Sequence, residues 1–155
     1  MEPEIVDMDD LKVVGYQTLT THKCNLIPKL WDRLCPSRED EIKNKIEPEV
    51  WLGVSFEMEK MDDDMLMFHL AGAVVDKIED VPEGMTYRYV DSGKYAKFTH
   101  KGPLSELPKT YQEIYEGWLP RSEYEYGDSD EYEWYDDRFE PESEDSELDI
   151  YVPIK

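Results

Sequence analysis

A carboxylate set among aromatic rings is the feature of this sequence with the plainest chemical use. Tyr132-Glu133-Trp134-Tyr135 supplies it, and Tyr95, Tyr111, Trp118, Trp51, His69 and Tyr151 are further side chains that strand alternation or helical spacing can add. Aromatic faces attract cations, and a partly desolvated carboxylate attracts them more strongly than one in water. Such a site suits flat, amphipathic, cationic or aromatic molecules, because stacking tolerates many ring systems. The same Glu133, its pKa raised by apolar surroundings, would serve as a general base on water. A hydroxyl from Tyr95 or Tyr135 would then orient that water or protonate a leaving oxygen. No Ser-His-Asp order and no cluster at metal-ligand spacing points to other chemistry, so neither metal nor cofactor is expected. Cys24 and Cys35 stand eleven positions apart, with His22 close to the first. Without a second ligand pair they read as incidental thiols.

The elements that must position these residues come in two similar sets. Ile27, Leu30, Trp31 and Leu34 mark one face of a helix, as do Leu107, Tyr111, Ile114, Tyr115 and Trp118. Each helix carries Pro-Lys in its opening turn, Pro28-Lys29 and Pro108-Lys109, eighty residues apart. Asn25 and Ser105 are the expected N-caps, and Pro36 and Pro120 the expected stops. A strand-like run precedes each helix, at 11–19 and 94–100. Two more follow each, at 50–58 and 65–75, then at 132–139 and 148–154. A further strand at 85–90 is expected to join 94–100 through Asp91-Ser92-Gly93. The alternation therefore predicts an α+β chain of two βαββ repeats, about 1–80 and 81–155, within a single domain. Two such units can share a curved antiparallel sheet with the helices on one face and a ligand groove between the repeats.

Period-two alternation then assigns faces. Leu148, Ile150, Val152 and Ile154 are expected beneath the helix, with Asp149, Tyr151 and Pro153 opposite. Leu66, Phe68 and Leu70 are the expected core set of the matching strand, leaving Met67 and His69 outward, so that His69 and Tyr151 occupy corresponding places. Placing the large Trp134 on the helix side puts Glu133 and Tyr135 on the groove side. Tyr95 joins them, with Ala96 and Phe98 inward. Trp118 and Trp51 read equally well as groove walls and as core. Residues 121–150 hold fourteen Asp and Glu against Arg121 and Arg138, so periodicity alone leaves Glu133 as one solvated carboxylate among many.

Composition narrows the partners. The 155 residues carry 38 Asp plus Glu against 17 Lys plus Arg, a formal net charge of −21, and mean hydropathy is −0.74. Such a surface repels phosphate backbones and favours cationic ligands or basic proteins over nucleic acid. The N-terminus has neither a basic nor an apolar signal region, and no run is long enough for a membrane span, so a cytoplasmic protein is expected.

The ordered segments 93–103, Thr110-Tyr111 to Ile114-Tyr115, Trp118-Leu119-Pro120, 133–139 and 148–155 resemble the second half of GyrI-like, or AraC-type effector-binding, domains. The likeness spans essentially the whole chain and is weaker in the first half. It implies two βαββ repeats related by a pseudo-two-fold axis. It also implies a ligand groove with a glutamate of a Glu-x-Tyr segment at its floor, here Glu133 and Tyr135. Relatives act as drug-sensing halves of regulators, as gyrase-modulating proteins or as hydrolases of cyclopropane-bearing genotoxins. The first repeat starts within a dozen residues of Met1, so no helix-turn-helix domain is expected. The resemblance thus implies a free-standing small-molecule binder, with a Glu133 hydrolase and an acidic, gyrase-directed protein modulator as alternatives. In the last, the acidic stretch 123–147 would meet a basic partner, and the acidic insertion 123–131 would lengthen a rim loop.

Overall fold

The structure, a computed structural model, describes every residue from Met1 to Lys155. In chain order the strands are β1 (Glu4–Met8), β2 (Leu11–Thr21), β3 (Trp51–Met61), β4 (Asp64–Val75), β5 (Thr86–Val90), β6 (Gly93–Lys101), β7 (Glu131–Tyr135) and β8 (Glu147–Pro153). The helices are α1 (Ile27–Leu34), α2 (Leu107–Gln112) and the short α3 (Leu119–Arg121). A π-helical segment, Glu113–Trp118, makes α2 and α3 continuous. The fold is α+β and antiparallel. It divides into two compact units, Asp10–Val90 and Met1–Asp9 with Asp91–Lys155.

Within the 10–90 unit the strand order is β3-β4-β2-β5, and within the other it is β7-β8-β6-β1. Each unit thus places its third βαββ strand between the other two and adds one outer strand beside the first. The outer strands correct the expected layout. β5 pairs with β2, from Leu11↔Val90 to Gly15↔Thr86, and does not form a hairpin with β6. The free side of β6 is taken by β1, from Glu4↔Lys97 to Met8↔Gly93. The short Glu-Ile-Val-Asp-Met run, mostly exposed, gave too little alternation to be recognised as a strand.

Each helix covers one face of its own sheet. Leu30 and Leu34 of α1 pack on Val14, Tyr16, Ala71, Ala73 and Val75. In the other unit Ile114 meets Ala96, Phe98, Leu148, Ile150, Val152 and Ile154, with Leu107, Tyr111 and Trp118 beside it. Neither expected N-cap takes that position: Leu26 caps α1, with Asn25 one residue earlier accepting the Ile27 N–H at 3.0 Å, and Ser105 lies within a 3₁₀ turn, Leu104–Glu106. Pro120 does not end its helix but sits in the first turn of α3. Past the π segment, the Arg121 Nε donates to Gly117 O at 2.7 Å and the Ser122 N–H to Trp118 O at 2.9 Å, which satisfies the last carbonyls.

Candidate functional site

Strand register decides which way Glu133 points. Glu133 lies opposite Ile150, which lies opposite Phe98, and both of those belong to the core beneath α2. Directly opposed residues share a face of the sheet. Glu133 therefore faces the helix, with Glu131 and Tyr135 on the same side, and this inverts the expected assignment. Side-chain size does not mark the helix side of this strand. Trp134 is indeed half-buried, but among rings on the other face. There Tyr132 stacks on Tyr151 at 4.9 Å, Trp134 meets Tyr151 at 5.8 Å and Tyr95 meets Tyr132 at 5.1 Å.

The Glu133 carboxylate is held by two phenols. The Tyr111 hydroxyl, from α2, donates to Oε2, and the Tyr135 hydroxyl, from the same strand, donates to Oε1. Burial pushes the Glu133 carboxyl above its ordinary range, and both phenol bonds and the nearby His100 oppose that rise. Glu133 nevertheless keeps part of its surface open to solvent. Burial and the Glu133 charge raise Tyr111 and Tyr135 well above the ordinary phenol value, so both remain donors at neutral pH. Tyr111 stacks parallel to Tyr115 with centroids 6.3 Å apart, Tyr115 leans on Tyr126 at 6.2 Å, and Phe139 sits edge-on to Tyr135 at 4.7 Å. The arrangement is an anionic group ringed by aromatics, assembled between helix and sheet.

A second carboxylate stands two residues away. Glu131 is 7% exposed and its Oε1 has no hydrogen-bond partner. Burial, reinforced by the charge of Glu133, pushes its carboxyl up to about 8. The acidic run 123–131 predicts a solvated rim loop at this residue, and the structure places it inside instead. The signal was present in the Glu-x-Glu-x-Tyr alternation, which puts three side chains on one face. It was masked by the surrounding acidic run.

The remaining expected site residues separate. Tyr95 is fully buried on the face away from the helix, its hydroxyl donating to Asp130 O at 2.8 Å, and Tyr151 packs beside it. Neither shares the side of Glu133, so Tyr95 is not placed to act with it. Trp118 resolves to core, edge-on to Phe98 at 5.3 Å and stacked near Tyr124 at 6.2 Å. Trp51 packs in the core of the 10–90 unit, its Nε1 donating to Glu49 at 3.3 Å. His69 was expected to face outward opposite its core neighbours. It instead shares the α1 side with Ala71 and Ala73, is 2% exposed, and its Nδ1 meets Ser55 Oγ at 2.9 Å. Its Nε2 has no partner, and burial lowers its pKa to about 4. The expected match between His69 and Tyr151 therefore fails, because one faces its helix and the other faces away. The 123–147 stretch is not a uniform acidic surface either. Asp136 pairs with Arg138, which also holds the buried Asp149 at 2.7 Å, while Glu131 and Glu133 turn inward. Both cysteines are free, and burial with a bond to Glu39 pushes Cys35 up to about 12.

Comparison with known proteins supplies the family. The model of the GyrI-like small molecule binding domain matches residues 1–155. The chain belongs to the GyrI-like family. It is 35% identical over 156 residues to the transcriptional regulator BrlR of Pseudomonas aeruginosa, covering 99% of this chain and 56% of that protein. The chain thus spans about half the length of this curated relative. Among solved structures, SAV2435 bound to tetraphenylphosphonium aligns with a TM-score of 0.77 at 18% identity, over 100% of this chain and 94% of the other. EcmrR, solved in an EcmrR–DNA complex, aligns with a TM-score of 0.73 at 14% identity, over 99% of this chain and 57% of the other. As a GyrI-like domain, this chain is a small-molecule-binding domain related to regulator effector domains. None of its helices is long and apolar enough to cross a membrane.

Proposed function

We propose that this GyrI-like domain binds organic cations with aromatic character, using the Glu133 carboxylate as the anionic contact and Tyr111 and Tyr135 to hold it in place. The observation that carries this reading is the pair of phenol bonds that hold the carboxylate of Glu133, a residue itself only partly buried. Two fixed donors keep its oxygens oriented, so little reorganisation accompanies capture of a cation. Low-dielectric surroundings strengthen the attraction, and the Tyr115, Tyr126 and Phe139 rings supply stacking surface. The tetraphenylphosphonium complex of SAV2435 shows that a relative of this fold takes a lipophilic cation. The test is calorimetric titration with tetraphenylphosphonium. Saturable binding that Glu133→Gln weakens supports the reading, and equal affinity in the two proteins sinks it.

A second reading draws on the same raised carboxyl. Glu133 would take a proton from water as that water adds to a strained electrophile, with Tyr111 or Tyr135 donating to the departing oxygen or carbon. Mass spectrometry of the recovered ligand separates the two: an unchanged mass marks retention, and a gain of one water marks hydrolysis.

A further inference from the structure

Glu131 is not needed by the cation-binding reading, yet the fold buries it beside Glu133. Residues two apart on a strand lie roughly 7 Å from one another on one face, within the span of a single small ligand. Two positions before Glu133 on β7, Glu131 lies on the helix side of the sheet with the rest of the site, and its charge also acts on the Tyr111 phenol. No protein group donates to its Oε1, although a buried carboxyl oxygen ordinarily has a partner. An acceptor left bare in a binding site is best matched by a ligand that brings the missing donor. It accepts an N–H whether the carboxyl is ionised or protonated, since one carbonyl-type oxygen is available in either state.

On that ground, and resting on the cation-binding reading above, we propose that Glu131 is a second ligand-contacting carboxyl. The site then selects cations that carry N–H groups, such as protonated aromatic amines, amidiniums and guanidiniums, over quaternary onium ions of the same shape. A quaternary ion satisfies the charge of Glu133 but has no hydrogen for Glu131 Oε1, which stays unpaired. Leaving a buried polar group unpaired is the way binding sites reject otherwise isosteric ligands.

The test uses a matched pair, 4-biphenylmethylammonium and its N,N,N-trimethyl derivative, titrated by calorimetry into the whole chain and into Glu131→Gln and Glu131→Leu. The wild type is expected to prefer the primary ammonium by about tenfold. Both variants should lose that preference while still binding the trimethyl ion. Equal wild-type affinity for the pair, or a preference unchanged in folded Glu131 variants, overturns the inference and leaves the Glu133 reading standing. Binding of neither ion overturns both.

Discussion

In the 10–90 unit, the row Thr18, His69 and Ser55 crosses β2, β4 and β3 facing the helix; in the other unit, the row Phe98, Ile150 and Glu133 crosses β6, β8 and β7 in the same sense. Phe98 and Thr18 stand eighty residues apart, the same separation as the two Pro-Lys pairs. The strand order of the units is alike, but their interiors carry opposite chemistry. The first buries an imidazole that burial keeps neutral; the second buries two carboxyls that burial pushes towards neutrality. One supersecondary plan therefore hosts two chemistries, according to a few helix-facing residues. Function lives in those residues and not in the plan.

The contrast is sharpest in how stability depends on pH. Glu131 has a folded value near 8 against 4.5 unperturbed, so its contribution is fully present below pH 4.5 and is lost as pH rises through 8. His69 runs the other way. Its folded value near 4 lies below 6.5, so stability present above pH 6.5 is lost as pH falls towards 4. Tyr111, Glu133 and Tyr135 share the surroundings of Glu131, and His100 acts on Glu133; Ser55 and Thr18 flank His69. Urea unfolding should show Glu131→Gln gaining on the wild type by about 3 kcal/mol between pH 5 and pH 9. His69→Gln should gain by about 2 to 3 kcal/mol as pH drops from 7 to 4.5. Parallel curves for wild type and variant in either experiment would remove the electrostatic contrast between the units.

Binding provides the next test. Glu133→Gln should weaken tetraphenylphosphonium about 30-fold, since truncating one member of a buried charge pair typically costs 2 kcal/mol or more. Tyr111→Phe removes a donor that lowers the Glu133 pKa, so the carboxyl should rise further. Affinity should therefore fall about fivefold at neutral pH, since one charge-assisted hydrogen bond is lost and the carboxyl holds its proton more tightly. The smallest effect belongs to the opposite face of the same sheet. Tyr95→Phe loses its bond to Asp130 O and about 1 kcal/mol of stability, with affinity unchanged within about twofold. A large affinity loss at Tyr95 would show that the strand register assigns the wrong face to the site.

Much of this was legible before any coordinates. Pro28-Lys29 and Pro108-Lys109, with the apolar stripes behind them, located both helices. The alternation of Leu148, Ile150, Val152 and Ile154 correctly gave the face of β8 that meets the helix. Glu133 and Tyr135 were named through the family resemblance, and Tyr111 through its helical stripe. Other features were not legible. Trp134 outweighs Glu133 in any apolar ranking, and alternation tells which residues share a face without telling which face meets the helix. Met67 and His69 were misplaced for the same reason, beside the larger Phe68 and Leu70. Glu131 was invisible because its neighbours in sequence are solvated acids.

The sequence by itself determined both main helices, every strand but β1, and the family, because periodicity and turn chemistry are local and act through near neighbours. Tertiary structure alone decided that β1 and not β5 lies beside β6, that Glu133 faces α2, and that Glu131 is buried with an unpaired oxygen. Those outcomes depend on pairing between strands distant in sequence and on the burial that follows. A carboxyl becomes a site only when the dielectric and the donors around it are fixed by such long-range contacts.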